Sequence, residues 1–172
     1  NQRLTELSYT DPLTGVANRR RLLEVLAAAI ERAEKRQLPI GLIIVDVDQF
    51  KDYNDRHGHL AGDTALRAVA QALLSAMDPQ DLVTRYGGEE FACLMIDADR
   101  ESTLRSAERM RALVEALPPR TLGNDSQTIT LSAGVLSCIP SNNPSVSELL
   151  QRADHALYEA KRAGRNCVQI AV

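Results

Sequence analysis

The chain has no apolar run approaching the roughly 18 residues that a membrane-spanning helix needs, and its first residues are polar. Direct membrane contact is not expected. A net charge of only -3 excludes the strongly basic footprint of a nucleic-acid binder. Cysteine is scarce: Cys93, Cys138 and Cys167 are odd in number, far apart and set among apolar residues. They read as buried thiols in a reducing compartment, because a zinc site needs closer spacing and further ligands. Neither GxxxxGK(S/T) nor GxGxxG occurs, so the common phosphate loops are absent. Repeats, linkers and low-complexity segments are absent too. The chain opens on Asn1 rather than Met, which suggests a segment cut from a longer protein.

What is present fits one globular domain. The 172 residues can enclose a sizeable core, and 44% apolar with 25% charged content is ordinary for a folded protein. Asn18 is a plausible cap for a helix running to about Arg36, whose Leu22, Leu26, Ile30 and Ala33 recur at helical spacing. Residues 40–47 form a nearly continuous apolar run, the pattern of a central strand covered on both faces. A short helix is predicted from Gln49, a polar turn over residues 54–58, and a second helix over residues 62–77 with Leu66, Val69, Leu73 and Leu74 facing inward. Residues 82–86 and 91–96 read as two strands around Gly87-Gly88. A helix capped by Asp99 and ended by Pro118-Pro119 follows, then a strand over residues 127–135, a helix over residues 146–163 and a short strand over residues 166–170. A hairpin amid helix crossovers argues against a purely parallel sheet.

The most informative stretch is Arg85-Tyr86-Gly87-Gly88-Glu89-Glu90-Phe91. Glycines let a tight hairpin reach backbone angles closed to other residues, and adjacent carboxylates at its tip call for a cation or a solvated position. Asp46 follows five core residues on the central strand, where a carboxylate needs hydrogen bonds or a cation. Glu89 or Glu90 within about 4 Å of it would be repelled by about 4 kcal/mol at an effective dielectric near 20. Mg²⁺ removes such a conflict and prefers hard oxygen ligands. Asp48 fits a helix cap. Lys51 is suited to phosphate, and Asn54 with Asp63 could read a guanine edge; a turn residue and an N-terminal helix residue are the structural alternatives. His57 and His59 have no nucleophile pattern around them and suit structural hydrogen bonds. Lys161 and Arg165, four apart near a helix end that Gly164 could cap, either answer the helix dipole or reach one phosphate chain.

In combination these segments are more specific. The chain resembles the GGDEF family of diguanylate cyclases over essentially its full length. The residues that carry the likeness are Asp11-Pro12-Leu13-Thr14-Gly15, the segment from Asp46 to Asp55, Gly58-His59, Gly62-Asp63, Gly87-Gly88-Glu89-Glu90-Phe91, and Tyr158 to Lys161 with Gly164-Arg165-Asn166. The resemblance implies an α/β (α+β) palm-like nucleotidyl cyclase fold, with a mostly antiparallel central sheet flanked by helices. It assigns two Mg²⁺ (or Mn²⁺) ions per active site to Asp46, the backbone carbonyl of Val47, Glu89 and Glu90. Asp46, Glu89 and Glu90 then form the catalytic set. Guanine recognition falls to Asn54 and Asp63, and phosphate contacts to Lys51, Lys161, Arg165 and backbone N–H groups near Phe50.

The implied reaction condenses two GTP into cyclic di-GMP and two pyrophosphates. Each domain resembles a half-site, so the active state is expected to be a homodimer, set by an upstream sensor or receiver module for which residues 1–10 would be the tail of a connecting helix. Residues 11–172 are the expected cyclase domain, acting in the cytoplasm even if its parent is membrane-anchored. A catalytically inactive GTP-binding or protein-interaction domain, and a cyclase making another cyclic nucleotide, are the alternatives. One family feature is missing. The RxxD motif of the product-inhibition site reads Asp78-Pro79-Gln80-Asp81 here, with Asp78 in place of the arginine and Asp81 retained.

Overall fold

The computed structural model describes residues 9–171. The expected connecting helix over residues 1–10 falls mainly on residues 1–8 and lies outside the described residues; Tyr9 is in a turn and Thr10 bridges to Ala17. Along the chain come β1 (Ala17–Asn18), α1 (Arg19–Arg36), β2 (Ile40–Val47), α2 (Phe50–His57), α3 (His59–Ser75), β3 (Leu82–Arg85) and β4 (Glu90–Ile96). Then follow α4 (Arg100–Glu115), a 3₁₀ turn (Pro119–Leu122), β5 (Leu131–Cys138), α5 (Val146–Arg162) and β6 (Val168–Ile170). Side chains close the starts of α1 and α4 as the sequence predicts. Asn18 accepts a hydrogen bond from the Arg21 N–H, and Asp99 accepts one from Ser102.

The strands form one six-stranded sheet in the order β1-β3-β4-β2-β5-β6. β2 is its centre, antiparallel to both β4 and β5, and β3 is antiparallel to β4. Among the described residues only the outer pairs, β1 with β3 and β5 with β6, run parallel. The sheet is thus mostly antiparallel with helices on both faces, the architecture the resemblance implies. All eight residues of β2 are buried, which explains the unbroken apolar run. Ile43, Val45 and Val47 pack with Leu66, Val69, Met110 and Val114 of α3 and α4. Leu42 and Ile44 pack on the other face with Leu22, Leu26, Leu149 and Leu157 of α1 and α5. Among the described residues no helix is long and apolar enough to cross a membrane.

Several local expectations are corrected. The polar turn stops only at Gly58 (φ 85°), so Asn54 lies on α2 and α3 begins at His59. Leu74 is 42% exposed, because it falls off the buried stripe formed by Leu66, Val69 and Leu73. The strand expected over residues 127–135 starts at Leu131 and runs to Cys138, in register with β2 back to Ile40. Residues 126 and 127 are instead held in a turn, where the Asn124 side-chain oxygen accepts both of their N–H groups. Cys93 is fully buried and its thiol pKa is pushed up to about 12 by burial, but Cys138 and Cys167 are only half-buried. The two-residue β1 and the 3₁₀ turn carry no periodicity and were not expected.

Candidate active site

The C-terminal end of β2 places Asp46 opposite Glu90 of β4 in the antiparallel register. Both side chains share the face of Leu42 and Ile44, since alternate strand residues point the same way. Asp46 is 9% exposed. Burial raises its pKa, and the ammonium of Lys161, 2.9 Å from its carboxylate, partly offsets that. Burial also raises the pKa of Glu90, and the charge of Asp46 adds to the effect. Two carboxylates confined on one face of adjacent strands therefore carry a charge conflict that Lys161 relieves only in part. Among the described residues no group of three or more His, Cys, Asp or Glu is gathered closely enough to hold a metal ion unaided.

The hairpin between β3 and β4 is shaped differently from the sequence expectation. Neither Gly87 nor Gly88 has a left-handed φ. Gly87 instead leaves room: a Cβ there would lie 2.8 Å from a Glu90 carboxylate oxygen, whereas one on Gly88 would meet nothing. The turn is held by its neighbours. The Tyr86 and Gly87 N–H groups donate to the Glu90 carbonyl, and the Val47 N–H donates to that of Glu89. Arg85 donates to the Gly88 carbonyl at 2.7 Å and pairs with Asp11 at 3.3 Å. Burial pushes the Asp11 pKa up, but hydrogen bonds from Thr14 and the Arg85 charge outweigh it and hold the carboxyl below its ordinary value. The opening Asp11-Pro12-Leu13-Thr14 segment thus braces the hairpin, a role the sequence reading missed.

Lys51, Lys161 and Arg165 face Asp46, Val47 and Glu89 across a cavity of about 320 Å³. Asp48 and Asp52 line the cavity too, so three cations stand among four carboxylates, a mixture that suits a polyanion bridged to the acids. Phe50 also lines this cavity, although at 6% exposed its ring belongs to the core. Arg165 reaches the cavity because Gly164, Arg165 and Asn166 all take left-handed backbone angles after α5. Asp48 secures that turn. Its carboxylate accepts from the Asn166 N–H at 3.0 Å and from Thr130 and Ser132 hydroxyls at 2.7 Å each. Asp48 is therefore not a helix cap; Gln49 holds that position without a side-chain cap bond. The apparent dipole-answering residues at the end of α5 are partly redirected into the site.

Asn54 and Asp63 lie outside this cavity, on the two helices that meet at Gly58. The Asn54 side-chain oxygen is buried and has no hydrogen-bond partner among the described residues. It lies against Gly62, where a Cβ would come within 1.8 Å of it. A buried acceptor left unpaired is costly in a folded protein and invites a ligand donor or a water. His57 bonds Gln127 at 2.8 Å, the structural role expected of it. Glu90 lines a neighbouring groove rather than the phosphate-sized cavity. Asp81 accepts N–H bonds from Ile96 and Asp78, so its carboxylate is engaged within the fold.

The family model described as "Diguanylate cyclase, GGDEF domain" matches residues 8–167. Diguanylate cyclase DosC of Escherichia coli K12 is 39% identical over 160 residues, covering 93% of this chain but 34% of DosC. The chain thus spans about a third of the length of such curated relatives. Among solved structures, the coiled coil and GGDEF domain of DgcB from Caulobacter crescentus, in complex with c-di-GMP, superposes with a TM-score of 0.91 at 34% identity, covering 99% of this chain and 89% of that one. The active GGEEF domain of a Vibrio cholerae diguanylate cyclase gives a TM-score of 0.83 at 33% identity, over 91% and 98% of the two chains. With its carboxylates, glycine pair and basic rim set on this sheet, the chain belongs to the GGDEF domain family.

Proposed function

We propose that this domain binds GTP and, as a pair of half-sites, condenses two GTP into cyclic di-GMP and two pyrophosphates. The observation that carries the reading is the opposition of Asp46 and Glu90 beside a cavity rimmed by Lys51, Lys161 and Arg165. Among relatives named as diguanylate cyclases, one is 39% identical over 160 residues and another shares this fold at a TM-score of 0.83. In each half-reaction a 3′-oxygen bonds to an α-phosphorus, the bond to pyrophosphate breaks and the hydroxyl proton departs. The basic rim holds the triphosphate, and the Asp48-braced turn keeps Arg165 aimed at it. Asn54 and Asp63 bind guanine, the unpaired Asn54 oxygen serving as one of the polar groups.

The donor set fits Mg²⁺ or Mn²⁺, since Asp46, Glu89, Glu90 and the Val47 carbonyl offer hard oxygens where confined negative charge is already in conflict. When bound, a pair of such cations would acidify the hydroxyl and offset charge on the phosphates. Incubation with GTP and Mg²⁺, followed by mass spectrometry, tests the reading. Cyclic di-GMP is expected; a cyclic mononucleotide would move the domain to another cyclase class, and GTP binding without any product would make it a regulatory module. A homodimer under the control of an upstream module completes the proposal, so specific activity should rise with protein concentration.

Gly62→Ala is a sharp test of the guanine subsite. Alanine in a helix interior ordinarily gains up to about 1 kcal/mol over glycine. Here the added methyl must displace the Asn54 amide. GTP affinity should fall roughly tenfold, about 1.4 kcal/mol, while the melting temperature stays level or rises. Calorimetric titration with a melting curve checks both; unchanged affinity would remove Asn54 from the subsite.

Asp78 bears on regulation. A carboxylate replaces the bidentate phosphate donor, and Asp81 is occupied by backbone N–H groups. Turnover should be insensitive to micromolar added cyclic di-GMP. Inhibition by submicromolar product would contradict this.

A further inference from the structure

A groove of about 590 Å³ runs between α1 and α5, nearly twice the volume of the cavity at Asp46. Leu23, Ile44 and Leu150 floor it, and Arg19, Glu90 and Asp154 stand at its rim. The Arg19 guanidinium is held 4.8 Å above the Tyr86 ring, and Ser147 and Gln151 join the two carboxylates as polar groups of the lining. Asp154 is near enough for its charge to be felt at Glu90. Glu90 belongs to both places, since it lines the groove and stands opposite Asp46 in the ladder.

That continuity has a stereochemical meaning if the domain is a GTP-condensing half-site, on which this inference rests. Displacement at phosphorus places the entering oxygen opposite the leaving one. The leaving pyrophosphate belongs with Lys51, Lys161 and Arg165. The entering hydroxyl must then approach from the other side of Asp46, past Glu90. We propose that the groove between α1 and α5 receives the ribose of the second GTP, presented by a second copy of this chain, with Glu90 and Asp154 accepting hydrogen bonds from its hydroxyl groups. Carboxylates suit a vicinal diol because each oxygen can accept from one hydroxyl, and the apolar floor suits the ribose carbon face. The groove orients the nucleophile, while the Asp46 cavity binds the electrophile.

Gln151 and Asp154 are exposed on the groove wall, so Gln151→Trp and Asp154→Asn can be made without disturbing the core. Both variants should melt like the parent and bind 3′-deoxy-GTP, which fills a half-site but cannot attack, with unchanged affinity. Turnover at saturating GTP should fall about a hundredfold for Gln151→Trp, the size expected when a reacting group is misplaced by an ångström. Asp154→Asn should lose about tenfold, as one charged acceptor is weakened. Unchanged turnover in both folded variants would overturn the proposal. So would weakened 3′-deoxy-GTP binding, which would put the groove in the half-site's own nucleotide pocket. Turnover fully restored at high protein concentration would make the groove a protein contact and overturn it as well. Failure of the parent chain to make cyclic di-GMP would instead sink the underlying reading, and the groove assignment with it.

Discussion

Asp46→Asn is expected to lower turnover about a thousandfold or more at saturating GTP while leaving the fold intact. The side chain keeps its shape but loses the charge that Glu90 and Lys161 face. The stability side of the prediction follows from the direction of the pKa shift. Burial raises the Asp46 pKa in the folded state, so above the unfolded-state pKa its ionisation works against folding. That cost fades as pH falls through the raised folded-state value. A neutral amide removes it at every pH. Lys161 loses a partner, but its side chain is 35% exposed and water compensates for much of the loss. The melting temperature at neutral pH should therefore hold or rise as activity disappears. Turnover within tenfold of the parent would remove Asp46 from the chemistry, and a large drop in melting temperature would show that its charge supports the fold.

Gly134→Ala is expected to have the largest effect on stability. Gly134 sits in β5 between Ile44 of β2 and Gln169 of β6. A Cβ there would lie 2.2 Å from both the Ala153 carbonyl oxygen and the Leu157 nitrogen. These are backbone atoms of α5, so no side chain can rotate away. The helix reaches the strand this closely because Ala153, Ala156 and Ala160 line its buried face. Adding a methyl group must push α5 off the sheet, costing about 3 kcal/mol, at the upper end of ordinary overpacking. For a domain of this size that is about 6–12 °C in melting temperature. Activity should fall too, because α5 carries Lys161 and leads to Arg165. Gly88→Ala provides the contrast, since a Cβ there meets nothing. Thermal melts of the two variants check the argument; equal melting temperatures would contradict it.

The parts of the fold legible in the sequence are those whose burial is written into a local period. β2 reads as a central strand because every residue in it is buried, and α1 because its inward residues recur at helical spacing. Asp46, Glu89, Glu90, Lys161 and Arg165 were likewise visible as charged residues at element ends. What supports them was not. Asp48 looks like a cap locally, yet its partners lie 82, 84 and 118 positions away. The Arg85 to Asp11 pair spans 74 positions, although an arginine flanking the glycine pair was a usable signal. The glycines misled in a different way. Gly87 was read for backbone freedom, but its value, like that of Gly62 and Gly134, is space for a neighbour, which depends on tertiary contacts.

The stoichiometry of turnover tests the central claim most directly. GTP consumed, pyrophosphate released and cyclic di-GMP formed can be counted together in one reaction with Mg²⁺. The account predicts one cyclic di-GMP and two pyrophosphates for every two GTP, all lost together in Asp46→Asn. Release of inorganic phosphate, or one pyrophosphate with one cyclic mononucleotide per GTP, would contradict it.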